Sequence, residues 1–490
     1  MRYNQSLSSS RFLILTIFFS KKIFNGSSII TNQFIIIMQG EKMNNNSLAQ
    51  EFNFWSLLKF TLPSTIGMII TATFFIIDGF FVANYLGETA LASINIVFPM
   101  LSVTIAIAIM FATGGGAIIS KYMGENNMAA ARSLFTALNF VLLIIGSILT
   151  IIFTVFPENI SYALGARDEF LLVSTEYLHI IGYFSIPFIA TLLSQSLYAT
   201  AGKPQLILIV SILGGVTNAV LDFLFIVSFN MGVRGAALAT GTSYLVIFII
   251  YIYFFTTNRN GTLYFDKCTF NLKEIIKSIT NGMSEFITSI ASSITTMLFN
   301  FTLLQIVGGT GLASFTAIQY LQWLLSALLL GFAYGVAPII GFKYGAGNRK
   351  QLKFVFRNSF GIILGISVLT FIFSQFMREE LINIFISKTS LTYPIAVQGL
   401  TIVSLSFLFI GGNMYASSVF TAYSNSKVSA FLSFLRTGLI IISIIFLPYL
   451  FKYLGVNQLY GVWFSIPIGE GIAFIVAMIM FAIYRKRYSF

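Results

Sequence analysis

Apolar runs of about twenty residues or more recur from Phe60 to Tyr484. A helix rising about 1.5 Å per residue needs a run of that length to cross a hydrocarbon layer roughly 30 Å thick. We read twelve spans, near 57–85, 90–119, 133–156, 171–200, 205–228, 236–257, 275–306, 311–341, 354–377, 393–423, 428–450 and 461–484. The expected fold is therefore an all-α integral membrane protein. Composition agrees: 57% of residues are hydrophobic and only 9% charged, where a soluble chain carries about a quarter.

The net charge of +12 is explained by where the basic residues fall. With both termini on the same side, the N-terminal region, the even-numbered loops and the C-terminus hold 22 of the 28 Lys and Arg. The other side holds Arg167, Arg234, Arg378, Lys388 and Lys452, and Arg436 alone falls inside a span. That bias places both termini in the cytoplasm and argues topology rather than nucleic-acid binding. One cysteine, Cys268, excludes an internal disulfide, a cysteine-rich zinc site and an iron–sulfur cluster. One histidine, His179, excludes an HExxH site, and no G-x4-G-K-[ST] loop occurs. No cofactor and no enzymatic chemistry are expected.

Residues 1–56 read differently. Phe12 to Phe19 is too short to span, no small-residue cleavage site follows, and Met43 before Asn44-Asn45-Asn46 reads as an alternative start. The segment is expected to be a disordered or artefactual extension. The remaining chain divides into an N-lobe at 57–257, a polar cytoplasmic linker at 258–274 and a C-lobe at 275–490.

The costliest residues mark the candidate site. Asn218 and Asp222 share one helix face, and Asp222 lies seven residues before the turn at Asn230 to Gly235. Thr240 lies five residues after Gly235, so both side chains sit roughly 7–11 Å below the same end of a helical hairpin. Asp78, in the first span, lies roughly 13 Å below that side. A carboxylate at such depth is a functional candidate by default. Two of them at similar depth suggest a cation or proton site.

An internal repeat organises the rest. Leu86-Gly87-Glu-Thr-Ala-Leu-Ala-Ser93 matches Val307-Gly308-Gly-Thr-Gly-Leu-Ala-Ser314 at an offset of 221, and Tyr122 to Asn127 falls on Lys343 to Asn348. Ser196-Leu-Tyr198 falls on Ser418-Val-Phe420 one residue later. Six spans are thus followed by six related spans in the same orientation, the parallel-repeat plan of many transporters. The repeat puts Phe299, beside Asn300, where the first half has Asp78. The C-lobe's intramembrane ionisable residues are instead Glu285, Arg436 and Glu470. Glu176 and His179 share a face of the fourth span, and a lone histidine there reads as structural more readily than as a proton relay. Gln195, Tyr198, Glu285, Asn300, Phe301, Gln319, Tyr320, Asn413 and Arg436 are candidate lining residues of a substrate cavity, each weak alone.

These residues together resemble the multidrug and toxic-compound extrusion (MATE) family of the MOP superfamily, over roughly residues 52–486. The likeness is carried by Pro63 followed by Asp78, by Leu86-Gly87 and Leu91-Ala92, and by Asn218-x-x-x-Asp222, Gly235-Ala-Ala and Thr240. It implies two six-helix lobes, a kink at Pro63 and an N-lobe cation site, for Na⁺ or H⁺, made of Asp78, Asn218, Asp222 and Thr240. It also implies a monomeric exporter of amphipathic, often cationic, drugs in a bacterial cytoplasmic membrane, with lipid as its surroundings. The C-lobe carboxylates used by one branch are absent here, and the pattern from Gly282 to Asn300 looks more like the Gram-positive branch. The rival expectation is a lipid-linked saccharide flippase of the same superfamily, which needs several basic residues in the cleft to hold pyrophosphate. An intramembrane enzyme would need a metal motif or catalytic histidine that the sequence lacks.

Overall fold

The computed structural model describes residues 47–488; the rest of the extension expected at 1–56, residues 1–46, lies outside the described residues. Among the described residues there is no strand. The N-lobe runs through α1 (Phe54–Phe81, continued by a π-helical turn, Val82–Leu86), α2 (Glu88–Gly124), α3 (Met128–Val155) and the short α4 (Pro157–Ala163). It continues through α5 (Asp168–Gly182), α6 (Ser185–Thr200), α7 (Gln205–Asp222, with a π-helical Phe223–Ser228) and α8 (Gly232–Thr257). A short helix, α9 (Leu272–Asn281), leads into the C-lobe. There follow α10 (Met283–Val307), α11 (Gly309–Gly345), α12 (Arg349–Phe376) and α13 (Arg378–Asn383). The chain closes with α14 (Thr392–Val403, plus a 3₁₀ turn), α15 (Phe407–Ala422), α16 (Ser426–Tyr453) and α17 (Gln458–Tyr488).

Among the described residues eleven segments are long and apolar enough to cross a membrane, or twelve if α5 and α6, bent by 66°, count as one span. The seventh span differs from its expected 275–306. Gly282 breaks it, because α10 crosses α2 there so closely that a Cβ on Gly282 would meet the Met110 backbone. The preceding ten residues form α9, a separate amphipathic helix packed on α2.

The repeat survives at the level of geometry. The first two helices of each matched set, α2 with α11 and α3 with α12, have equal lengths of 37 and 28 residues. Gly87 and Gly308 both turn the chain at positive φ, 88° and 74°, a conformation that disfavours any side chain. Asn127 and Asn348 both cap the helix that follows, accepting from Ala130 N and Gln351 N. Equal local signals therefore build equal local structures, and two six-helix lobes result.

The lobes meet along α1–α11, α2–α10 and α2–α11. At the end of the bundle that carries most of the basic residues, α2 and α11 cross at a reciprocal pair of glycines. A Cβ on Gly124 would strike the Phe342 carbonyl, and one on Gly345 the Lys121 carbonyl, its repeat counterpart. This end is shut by backbone contact.

Residues 47–53, which the sequence groups with a disordered extension, are anchored instead. Leu48 and Phe52 are buried, and Ser47 Oγ donates to the Gly202 carbonyl of the N-lobe at 2.6 Å. From the C-lobe, Lys343 Nζ donates to the carbonyls of Ala49 (3.0 Å) and Gln50 (2.8 Å). Gln351 Oε1 accepts from Phe52 N at 3.0 Å. The segment is a strap joining both lobes at the basic end. It was hard to see in the sequence because its anchors are backbone groups. Lys343→Met would remove both charge-assisted contacts; because Ala49 and Gln50 are exposed, water can take over their carbonyls, and the expected loss is about 1 kcal/mol. The expected result is a lower melting temperature in detergent, read by intrinsic fluorescence.

Candidate functional site

Three helices of the N-lobe converge on one polar point. α7 lies against α1 so tightly that Gly215 has the Phe74 ring where a Cβ would stand. This contact brings the later turns of the two helices together. Asp78 sits four residues before the π-helical turn of α1, and Asp222 is the last residue of α7 before its own. Such turns shift the side chains of a helix out of α register and recur at functional positions. The C-lobe counterparts, α10 and α16, run through as unbroken α-helix. Among the described residues, both π-helical stretches directly follow or lie within a turn of these carboxylates.

Thr240, from α8, links the group. Its Oγ1 donates to Asp78 Oδ1 at 3.2 Å and accepts from Asn218 Nδ2 at 3.4 Å. Asp222 is wholly buried, and among the described residues no amide, hydroxyl or basic group donates to either of its oxygens. The group facing it is the Asp78 carboxyl. A buried carboxyl with no donor is among the costliest arrangements in an apolar interior. The arrangement is relieved by a proton or cation shared between Asp78 and Asp222. The groups around it, two carboxylates, a hydroxyl and an amide, can offer hard oxygen ligands, a set suited to a monovalent cation or a proton. The four residues expected to form a cation site are thus brought together.

Tyr177 of α5 and Tyr244 of α8 also lie within electrostatic reach of Asp78, as does Tyr320 across the lobe boundary. Tyr320 was among the candidate lining residues. Tyr244 stands four residues after Thr240, hence on the same helix face, a signal present in the sequence. Tyr177 gave none, because it reaches the site through the packing of α5 on α8, which no spacing along the chain records.

The other candidates disperse. Tyr198 is wholly buried inside the N-lobe, stacked on Phe255 with centroids 5.6 Å apart, and not on a cavity wall. Asn413 Nδ2 donates to the Glu470 carbonyl (2.9 Å) and to its Oε2 (2.7 Å), and Arg436 Nε donates to both Glu470 carboxyl oxygens at 2.8 and 3.0 Å. These three satisfy one another within the C-lobe, so Asn413 and Arg436 have their hydrogen bonds committed internally. Gln319 Nε2 donates to Thr296 Oγ1 at 2.6 Å, tying α11 to α10. Asn300 and Gln195 are half-buried. Phe301 is exposed. Phe299 stacks on Phe315 at 4.8 Å in an apolar core, at the place the repeat assigns to an Asp78 counterpart.

His179 has Nδ1 3.0 Å from the Thr154 carbonyl and Nε2 3.2 Å from the Tyr183 hydroxyl, beside the bend of the fourth span. Glu176, on its face, pairs with Arg234. Both side chains are engaged in holding helices together.

Pro63 lies inside α1, where it removes a backbone donor, and Gly331 and Gly335 of α11 press against the same stretch. A Cβ on Gly331 would lie 2.7 Å from Thr65 Cα, and one on Gly335 3.1 Å from Thr61 Cα. α1 is therefore the helix that carries a site residue and also packs across the lobe boundary.

Comparison with known proteins places this geometry. The MatE family model matches the chain twice, at residues 63–224 and 285–447, one match in each lobe. The multidrug export protein MepA of Staphylococcus saprophyticus subsp. saprophyticus is 25% identical over 438 residues, covering 89% of this chain and 94% of the relative. Its counterpart in Staphylococcus aureus strain N315 is 23% identical over 439 residues, with the same coverage. Among solved structures, the outward-facing conformation of a multidrug resistance MATE family transporter of the MOP superfamily superposes with a TM-score of 0.84 at 22% identity. That superposition covers 92% of this chain and 99% of the other.

Proposed function

The chain belongs to the MatE family of transporters, and we propose that it is a secondary exporter. It antiports amphipathic, often cationic, organic compounds against inward Na⁺ or H⁺ held by Asp78, Asn218, Asp222 and Thr240. The observation that carries this reading is Asp222, wholly buried, with no amide, hydroxyl or basic group donating to it and the Asp78 carboxyl facing it. The names of the staphylococcal relatives support drugs as the substrate class.

The mechanism follows from α1. With no ion bound, two carboxylates repel across a gap of low dielectric; with one bound, they draw α1 and α7 together. Because α1 also packs on Gly331 and Gly335, any such movement is felt by the opposite lobe, with Pro63 as the place where the helix can bend. Ion binding and lobe rearrangement are thereby coupled, and a compound held between the lobes is displaced. Each inward charge contributes about 2.3 kcal/mol per 100 mV of membrane potential. The distribution of basic residues supports both termini, and the closed glycine crossing, lying on the cytoplasmic side. The flippase reading is disfavoured: the intramembrane Arg436 is neutralised by Glu470, leaving no basic cluster for pyrophosphate.

The test is efflux of a fluorescent organic cation from proteoliposomes, with a Na⁺ gradient and a pH gradient imposed separately. Acceleration by one gradient supports the reading and identifies the ion. If neither gradient moves the dye, the antiport reading fails and labelled lipid-linked saccharide becomes the substrate to try. In the same assay Thr240→Val, which keeps shape and loses the bridging hydroxyl, is expected to raise the half-saturating ion concentration about tenfold, equivalent to roughly 1.4 kcal/mol.

A further inference from the structure

A second carboxyl is left without a partner, far from the N-lobe pair in the sequence and at the boundary between lobes. Glu285 follows the break at Gly282 and lines a cavity of about 20 Å³ together with Thr113, Ser196 and Thr200 of the N-lobe and Tyr334 and Ser418 of the C-lobe. No hydrogen bond or ion pair joins its side chain to any described residue. Ser196 and Ser418 are repeat counterparts. The cavity therefore sits where the two halves face each other.

The hydroxyls around Glu285 have already committed their protons. Thr113 Oγ1 donates to the Ile109 carbonyl at 2.9 Å, Ser196 Oγ to Ala112 at 3.1 Å, Thr200 Oγ1 to Ser196 at 3.0 Å and Ser418 Oγ to Ala333 at 3.5 Å. Their oxygens can only accept further bonds. Tyr334 and Thr421, whose hydroxyl is shared with Ser284 and Ser429, are the lining hydroxyls whose protons are not committed to a carbonyl in this way. A carboxyl ringed by acceptors suits a cation and repels an anion. The volume decides which cations: it holds one water-sized occupant and excludes an organic compound. Glu285, expected as a substrate-cavity residue, is thus placed for an ion in this conformation.

The surrounding charges do not satisfy it. Arg436 of α16 is the nearest cation, but its guanidinium is bound to Glu470 of α17. Tyr334 of α11 is the other titratable group facing Glu285. α2 and α15 present hydroxyls only. On the side toward the glycine crossing, Asn281 Nδ2 bridges the lobes by donating to Gly114 O of the N-lobe (3.3 Å) and Thr421 O of the C-lobe (2.9 Å). Parting the lobes at that end would break this bridge and expose the carboxyl further.

We propose that Glu285 is a second, inter-lobe site for a monovalent cation, H⁺ or Na⁺, whose occupancy is required for the basic end of the bundle to stay shut. In the closed arrangement Glu285 is half-buried, so closure over an empty site holds an unpaired carboxylate partly away from water, whereas closure over an occupied one holds a neutral group there. Ion occupancy at Glu285 therefore favours the closed arrangement, independently of the N-lobe pair and of any exported compound.

The test reads conformation rather than export. A single reporter cysteine at Ala117, buried on the cavity wall, is placed in a Cys268→Ser background, and its labelling by a water-soluble maleimide is timed in nanodiscs. Asp78→Asn and Asp222→Asn are included to silence the N-lobe pair. Labelling is expected to be about tenfold faster at alkaline pH without Na⁺ than at acid pH. Suppression by Na⁺ at alkaline pH identifies Na⁺ as an occupant; suppression by acid alone identifies the proton. Glu285→Gln is expected to label slowly whatever the ion, and Glu285→Asp to keep the response, which guards against a merely misfolded Gln variant. A Glu285→Gln protein that still responds to ions, or a parent whose labelling never changes, would overturn the proposal. Export that fails while this response persists would count against the antiport reading alone.

Discussion

Asp222→Asn is expected to abolish ion-driven export while leaving a folded protein. The substitution keeps size and shape but removes the charge that a Na⁺ would meet, or the group that a proton would neutralise. In the wild type no amide, hydroxyl or basic group donates to either Asp222 oxygen, so no donor is stranded by the change. The buried site loses an unpaired carboxyl, and the melting temperature should be equal or higher. What disappears is the link to the gradient. Each 100 mV then no longer contributes its roughly 2.3 kcal/mol, and efflux should fall at least about tenfold, to the level of passive leak. Asp78→Asn should act alike, since Asp78 faces Asp222 and is hydrogen-bonded to Thr240. Gradient-driven dye efflux from proteoliposomes decides it. Retention of wild-type coupling by Asp222→Asn would remove the N-lobe pair from the mechanism.

Gly345→Val is expected to have the second largest effect, on conformation. At this crossing the atom in the way is a backbone carbonyl, Lys121 O, which cannot rotate aside as a side chain can. Added side-chain volume must push α11 off α2. Overpacking of this kind costs about 1–3 kcal/mol, which shifts a closed-to-open ratio roughly 5- to 150-fold. Spin labels at Glu125 and Ala346, just beyond the two helix ends, should move apart, and export should fall because the basic end no longer shuts. Gly124→Val should do the same through Phe342 O, by the symmetry of the repeat. An unchanged distance distribution would show that the crossing has slack.

The two substitutions probe features of unequal legibility. Asp222 announced itself, because a carboxylate deep in an apolar run is costly enough to demand a reason. Its partners were legible from spacing along helices, Asn218 one turn away and Thr240 at matching depth. Gly345 was visible only as a repeated glycine. That it and Gly124 face each other's neighbours across the lobe boundary depends on how the two halves are rotated, and no local pattern carries that rotation. Tyr198 shows the opposite error: an aromatic beside small polar residues looked fit to line a cavity, yet its helix turns it into the N-lobe core. Arg436, Asn413 and Glu470 looked like three separate polar candidates, and became one closed cluster once α15, α16 and α17 were packed together.

Legible in the sequence by itself were the approximate number of spans, the self-similarity of the two halves and the polar residues, Asp78, Asn218, Asp222 and Thr240, that come together in the N-lobe. Those follow from hydrophobic length, from self-similarity and from the cost of burying charge, each readable along one dimension. Only the tertiary structure decided that residues 47–53 form a strap, that the seventh span breaks at Gly282, and that Glu285 is left without a partner while Arg436 is not. Each of these depends on which groups meet across helices far apart in the chain. Backbone carbonyls and close glycine contacts, which do much of that work here, have no signature in the order of side chains.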